Sequence, residues 1–305
     1  MRALVISGGG SKGAFAGGVA QYLICELKTH YDIFVGSSTG SLLVSHLALN
    51  ETAKIKDVYT SVDQDAIFSN CPFIVKTDKD GCRHIKINHL NVLGQILRGR
   101  KTFGESYNLK HLIEQTLTEE EFDKLKASGK DVVVTVSNLT DNQIEYKSIQ
   151  DYDYKEYCEW VWISCNLIPF MTLVKKNNCE YADGGFGARV PIEEAIKRGA
   201  TTVDVIVLST EMESTHHKGS SNFFSLVSNL NLYMAERISR QNIRIGKLIA
   251  ANKNVSLNFY YTPTVLTANS LVFDKEKMAE WWQMGYDFAC KKSKNCNELH
   301  PLILS

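Results

Sequence analysis

Gly8, Gly10 and Gly13 in "LVISGGGSKGAFAGG" stand at the spacing G-x-G-x-x-G, directly after an apolar run and directly before a helical pattern. Two chemistries use that shape. A dinucleotide pyrophosphate can rest on such a loop, or its backbone N–H groups can hold a negative oxygen during acyl transfer. Further on, Gly36–Ser37–Ser38–Thr39–Gly40 reads G-x-S-x-G, the pattern of a nucleophile elbow. In that register a sharp strand-to-helix turn exposes Ser38 Oγ at the positive end of a helix. Gly36 and Gly40 leave room where neighbouring chain segments pass too close for a Cβ; Ser37 and Ser41 lack this flanking pair. A third stretch, "YADGGFG", sets Asp183 before Gly184 and Gly185. A carboxylate ending a strand lies on the ligand-binding edge of an α/β sheet. Within reach of Ser38 it would serve as general base, its basicity raised by partial desolvation. The plainer role for Asp183 is to cap a turn, as Asp-Gly pairs often do.

The elements that position these residues read as α/β. "ALVIS" (3–7) and "YDIFVG" (31–36) are unbroken apolar runs, as in strands covered on both faces. Phe15, Val19, Tyr22, Leu23 and Leu27 give a helix over 14–28, and a second helix starts at about 39. Residues 51–62 continue as helix. Residues 63–107 mix a polar stretch, "GCRHIKI", with a helix at 88–98, and read as an insertion resembling a lid. A helix is expected over 109–128. Two strands follow, "DVVVTVSNLT" and "QIEYKSI", turning through Thr140–Asp141–Asn142. A helix at 153–164 leads to "CEYADGGFG". "IEEAIKRG" is a short helix closed by Gly199, and "TVDVIVLST" is a strand. A long amphipathic helix over 222–252, with Phe224, Val227, Leu230, Met234, Ile238 and Ile245 on one side, is expected to pack on the sheet. A last strand, "VSLNFYYTP", and a last helix, "KEKMAEWWQMGYDFACKK", close the chain. The expectation is one domain over 1–305, three layers around a mostly parallel sheet.

This order of elements bears on the glycine loop. A dinucleotide site wants an acidic residue at the end of the second strand to hold the ribose. Asp32 stands at the start of that strand, and its end carries Gly36 and Ser38.

The three motifs in this order resemble the patatin-like phospholipase family. "GGGSKG" (8–13) is similar to the family's G-G-G-x-[KR]-G loop, "GSSTG" to its G-x-S-x-G, and "DGG" (183–185) to its D-G-[AG]. "SCNLIPF" (164–170) and residues 189–210 extend the likeness over about 1–210. Ser7 stands where many members have Asp, and Lys12 replaces the commoner Arg. The resemblance implies a Ser38–Asp183 dyad with no catalytic histidine, and hydrolysis of fatty-acyl esters in phospholipids without metal or cofactor. Backbone N–H groups of Gly9, Gly10 and Ser11 would form the oxyanion hole, with Lys12 adding nearby positive charge. Lysophospholipid, neutral lipid or thioester hydrolysis is the alternative within that chemistry. A catalytically silent lipid-binding relative is another.

The totals narrow the field. The chain has 305 residues, with 34 basic and 34 acidic side chains, a balance that removes any general case for nucleic-acid binding, which would want a basic face. The eight cysteines form no C-x-x-C and no zinc or disulfide framework, which points to a reducing, cytoplasmic setting. No run of about 18 apolar residues exists, so lipid contact is expected to be peripheral. The glycine loop interrupts the apolar N-terminus before a signal peptide could form. His216 and His217 fall in a polar, glycine-rich stretch and read as surface loop; with His300 they are the histidines that follow Asp183 in the chain. "RGRK" (98–101) and "KKSK" (291–294) read as solvated surface. Met278, Trp281, Trp282, Gly285 and Phe288 read as a core-facing stripe.

Overall fold

A computed structural model of the chain describes residues 1–77, 83–211, 219–267 and 269–299. Among these, the strands are β1 (Arg2–Ile6), β2 (Ile33–Ser37), β3 (Phe73–Thr77), β4 (Arg83–Ile87), β5 (Asp131–Asn138), β6 (Gln143–Ser148), β7 (Val174–Lys176), β8 (Cys179–Asp183), β9 (Thr202–Val207) and β10 (Ser256–Tyr261). The first helices are α1 (Gly13–Gln21), α2 (Thr39–Ala48), α3 (Thr52–Ser61), α4 (Gln64–Ile67), α5 (His89–Leu97) and α6 (Tyr107–Thr116). Then come α7 (Glu119–Ala127), α8 (Tyr154–Ser164), α9 (Ile192–Lys197), α10 (Phe223–Lys253) and α11 (Lys275–Leu299).

The main sheet runs β10-β9-β1-β2-β5-β8-β7, with β6 also paired to β5. Strands β10, β9, β1, β2 and β5 are mutually parallel, while β6, β7 and β8 run antiparallel to their neighbours. The apolar runs read as doubly covered strands because both faces are buried. Leu4, Ile6, Phe34, Val132, Val134 and Ile206 face one core. Ala3, Val5, Ile33, Val35, Val133 and Val205 face the other. Helices α1, α2, α8 and α11 supply side chains to the first core; α9 and the second half of α10 cover the second. The result is the three-layer α/β/α arrangement.

β5 organises the site. β2 pairs in parallel with Asp131–Thr135, and β8 pairs antiparallel with Val136–Asn138 on the same edge. The other edge is taken by β6 over Val133–Asn138. Ser37 is therefore opposite Thr135, and Asp183 is opposite the next residue, Val136. The carboxyl ends of β2 and β8 meet head to head.

Three expectations need revision. The helix read over 109–128 is two, because Thr118 caps α7 through a reciprocal bond with Glu121. The helix from 14 ends as a π-helical turn over Tyr22–Glu26. α10 packs by its second half only: Ala250 and Gly246 are buried, whereas Phe223, Leu226 and Leu230 are exposed. At about 1.5 Å per residue its 31 residues reach roughly 46 Å, longer than a strand of six residues can cover. Within 63–107, β3 and β4 form a separate antiparallel hairpin followed by α5. In α11, Met278 and Trp282 are fully buried, as the stripe suggests.

Candidate active site

Ser38 sits between β2 and α2 at φ +53°, ψ −123°, a backbone region that costs a non-glycine residue of order 1–3 kcal/mol. The neighbourhood holds it there. Its N–H donates to Ser164 Oγ at 3.0 Å. Its carbonyl accepts the Cys165 thiol at 3.2 Å and the Ser41 N–H at 2.8 Å. Ser164 Oγ in turn donates to the Thr135 carbonyl at 2.6 Å, tying the elbow to β5. A Cβ on Gly36 would lie 2.4 Å from the Gly40 backbone, and one on Gly40 would lie 2.3 Å from the Ile6 carbonyl. The steric reason for the flanking glycines is thus explicit.

Asp183 arrives from the opposite direction. Ser38 Oγ donates to Asp183 Oδ2 at 2.6 Å. Gly185 N–H donates to Oδ1 at 2.6 Å, so the same carboxylate also caps the turn that Gly184 begins. Asp183 is 4% exposed. Burial pushes its pKa up to about 6, against the opposing pull of the Ser38 hydroxyl, the Gly185 amide and the Arg189 charge. Among the described residues no histidine side chain bonds to either group. His216, His217 and His300 lie outside the described residues.

The glycine loop packs directly against the elbow: a Cβ on Gly8 would stand 3.1 Å from Ser38 Cβ, and one on Gly13 would meet the Thr39 hydroxyl. Its amides are unequally committed. Gly8 N–H donates to the Arg189 carbonyl at 3.1 Å, and Ser11 N–H to the Ser270 carbonyl at 2.9 Å. Gly9 and Gly10 N–H have no partner among the described residues. Gly10 has φ +57°, and a Cβ there would lie 2.2 Å from the Ser270 oxygen. Tyr59 OH donates to the Gly10 carbonyl at 2.7 Å and bonds to the Thr39 hydroxyl, bracing loop against elbow. Two of the expected loop contributors are therefore placed otherwise. Ser11's amide is spent on Ser270, and Lys12 Nζ turns away to the Leu208 carbonyl at 2.7 Å. Burial, then the Arg189 charge, lowers the Lys12 pKa to about 7. Asp32 accepts the Arg2 N–H at 2.8 Å at the far end of the strands, away from the glycine loop. The dinucleotide reading lacks its acid in space as well as in sequence.

Ser38, Asp183, Gly9 and Gly10 open onto a narrow cleft of about 100 Å3. Leu42, Ile55, Leu109, Ile113, Leu117 and Met171 are among its walls, so these groups face an apolar channel. His46 lines it too; burial lowers its pKa to about 4, leaving a neutral imidazole whose Nδ1 has no partner among the described residues. No group of three metal-ligating side chains occurs among the described residues.

The model of the family described as patatin-like phospholipase matches residues 4–196. The chain belongs to the patatin-like phospholipase family. The matched span holds all three glycine motifs and ends just before the β9 strand. Among solved structures, VipD from Legionella pneumophila is similar over 95% of this chain and 66% of its own, with 17% identity and a TM-score of 0.51. That likeness concerns the fold, and the chain spans just under two thirds of VipD's length. No curated protein sequence matches the chain.

The sequence did not single out Ser164, Cys165, Arg189 or Ser270. The first two fall in the "SCNLIPF" stretch noted for its resemblance to the family. Arg189 follows the Asp-Gly-Gly turn by only four residues, and Ser270 carries no local signal.

Proposed function

We propose that the protein is a phospholipase A-type lipid acyl hydrolase working through a Ser38–Asp183 dyad. The observation that carries this reading is the 2.6 Å bond from Ser38 Oγ to a buried carboxylate at the mouth of an apolar channel. Ser38 Oγ attacks the ester carbonyl carbon while its proton passes to Asp183 Oδ2. The carbonyl oxygen becomes an oxyanion, held by the free N–H groups of Gly9 and Gly10, with the N-terminus of α2 adding a favourable dipole. Collapse breaks the bond to the leaving alcohol, which takes the proton from Asp183 and departs, leaving the acyl group on Ser38. Asp183 then draws a proton from water as that water attacks the acyl-enzyme. A second collapse releases the fatty acid and returns the proton to Ser38.

A carboxyl pKa near 6 suits this cycle. The group is ionised and ready at neutral pH, yet basic enough to hold a proton between steps. No helix among the described residues is long and apolar enough to cross a membrane. The test is hydrolysis of phospholipid vesicles and of p-nitrophenyl esters, with chelator present, by wild type, Ser38→Ala and Asp183→Asn. Activity in wild type that is lost in both variants supports the dyad. Full activity in Asp183→Asn would contradict it.

A further inference from the structure

A second cavity, of about 650 Å3, lies beside the acyl channel. It is bounded by the residues following β9, by the middle of α10 and by the segment after β10. The two cavities share one wall residue, Arg189. The second cavity is rich in cations: Lys12, Arg189, Arg240, Arg244 and Lys247, against the carboxylates Glu211 and Glu236. Among the described residues, the guanidinium groups of Arg189, Arg240 and Arg244 make no hydrogen bond and no ion pair. Lys12, whose ammonium has three donors, uses one on the Leu208 carbonyl. Arg240, Arg244 and Lys247 are exposed at the cavity rim, whereas the guanidinium of Arg189 is shielded from water without a hydrogen-bond partner, a costly arrangement unless an anion completes it.

We propose that this cavity binds a phosphate monoester, presented by the headgroup of the lipid whose acyl ester reaches Ser38. The proposal rests on the hydrolase reading above and names its substrate class. Phosphate oxygens match the guanidinium fork bidentately, and a monoester carries nearly two negative charges at neutral pH. In a glycerophospholipid the phosphate and the acyl esters hang from one glycerol unit, so their sites must adjoin; Arg189 is the residue at which these two cavities adjoin. A quaternary ammonium headgroup would want an aromatic cage, and Tyr261 is the single aromatic residue lining the cavity. A neutral diacylglycerol would leave the cations unpaired.

The experiment compares phosphatidic acid, phosphatidylcholine and diacylglycerol of identical acyl chains in mixed micelles, with p-nitrophenyl butyrate as an ester without headgroup. The proteins are wild type, Arg189→Gln, the double variant Arg240→Gln/Arg244→Gln, and Arg237→Gln as a charge change on α10 outside the cavity. Calorimetric titration of Ser38→Ala with inorganic phosphate and glycerol 3-phosphate runs in parallel. The expected result is a preference for phosphatidic acid of about tenfold or more in kcat/KM, since charged hydrogen bonds are at stake. The double variant and Arg189→Gln lose that preference, and Arg237→Gln keeps it. Phosphate binding to Ser38→Ala, lost with the same arginines but without lipid preference, would support the site while overturning the headgroup as its source. Ser38-dependent turnover of the nitrophenyl ester with neither preference nor phosphate binding would overturn the proposal and leave the hydrolase reading standing. Phosphate binding with no ester turnover would do the reverse.

Discussion

Two aspartates are buried in the sheet, and their surroundings differ in kind. Asp204, within β9, is fully buried and accepts bonds from the Arg2 guanidinium at 2.8 Å, Tyr31 OH at 2.7 Å and Asn258 Nδ2 at 2.8 Å. Asp183, at the carboxyl end of β8, accepts one hydroxyl and one amide, and Arg189 stays outside hydrogen-bond contact. One cation and two neutral donors fill the hydrogen-bonding positions of the Asp204 carboxylate. Neutral donors alone leave that of Asp183 short of compensation, and burial makes it basic. The two carboxylates differ in their partners, because burial is common to both.

Substitution should separate the two residues most sharply in activity. Ser38→Ala and Asp183→Asn are expected to lower kcat/KM on a p-nitrophenyl ester by about 10³-fold or more, as for removal of a catalytic nucleophile or base. Asp204→Asn should keep activity within a few-fold in the folded protein. Its cost appears instead in urea denaturation, as about 1–2 kcal/mol, because the buried site loses its charge-assisted bonds while the partly exposed Arg2 can rehydrate. An inactive but stably folded Asp204→Asn protein would break the comparison. Next in size is the loop: Gly10→Ala must move Ser270 or the free amide, and about 10² in kcat should be lost, read alongside its melting temperature.

The sign of pH dependence offers a finer distinction. Asp183 ionises near 3.8 when unfolded and near 6 when folded, so the unfolded state holds fewer protons between those values. Stability from this group therefore falls as pH rises through that window and stays low above it. Asp183→Asn removes the penalty and should be more stable than wild type at pH 8 by an amount on the order of 3 kcal/mol, measured by urea midpoint. The smallest effect expected is Tyr31→Phe, which removes one donor from Asp204 and should cost about 1.5 kcal/mol with activity unchanged.

Legibility followed the range of the interactions. Gly36, Gly40 and Gly10 were readable because their steric demand is local and leaves glycine as the signature. The buried strands were readable because both faces are covered, which removes polar alternation. The head-to-head meeting of β2 and β8 on β5 is hidden, since Ser38 and Asp183, about 145 positions apart, meet only through a third strand, which leaves no local trace. For the same reason Ser270's claim on the Ser11 amide, and the turn of Lys12 toward Leu208, were out of reach. The break at Thr118 is a different case: the pattern Thr118-x-x-Glu121 is present in the sequence, but the continuous helical periodicity on both sides of it masks the boundary. Asp204 was visible as a charge inside "TVDVIVLST", without any sign that Arg2 and Tyr31 would meet it.

The most direct test of Asp183 as the base of Ser38 is the pH profile of kcat/KM on a p-nitrophenyl ester, in wild type and in Asp183→Asn. The wild-type rate should rise with pH through an apparent pKa of about 6, where the carboxylate forms, and the low residual rate of Asp183→Asn should lack that limb. An acid limb that persists unchanged in Asp183→Asn, at a substantial rate, would place the base on another residue and contradict the account.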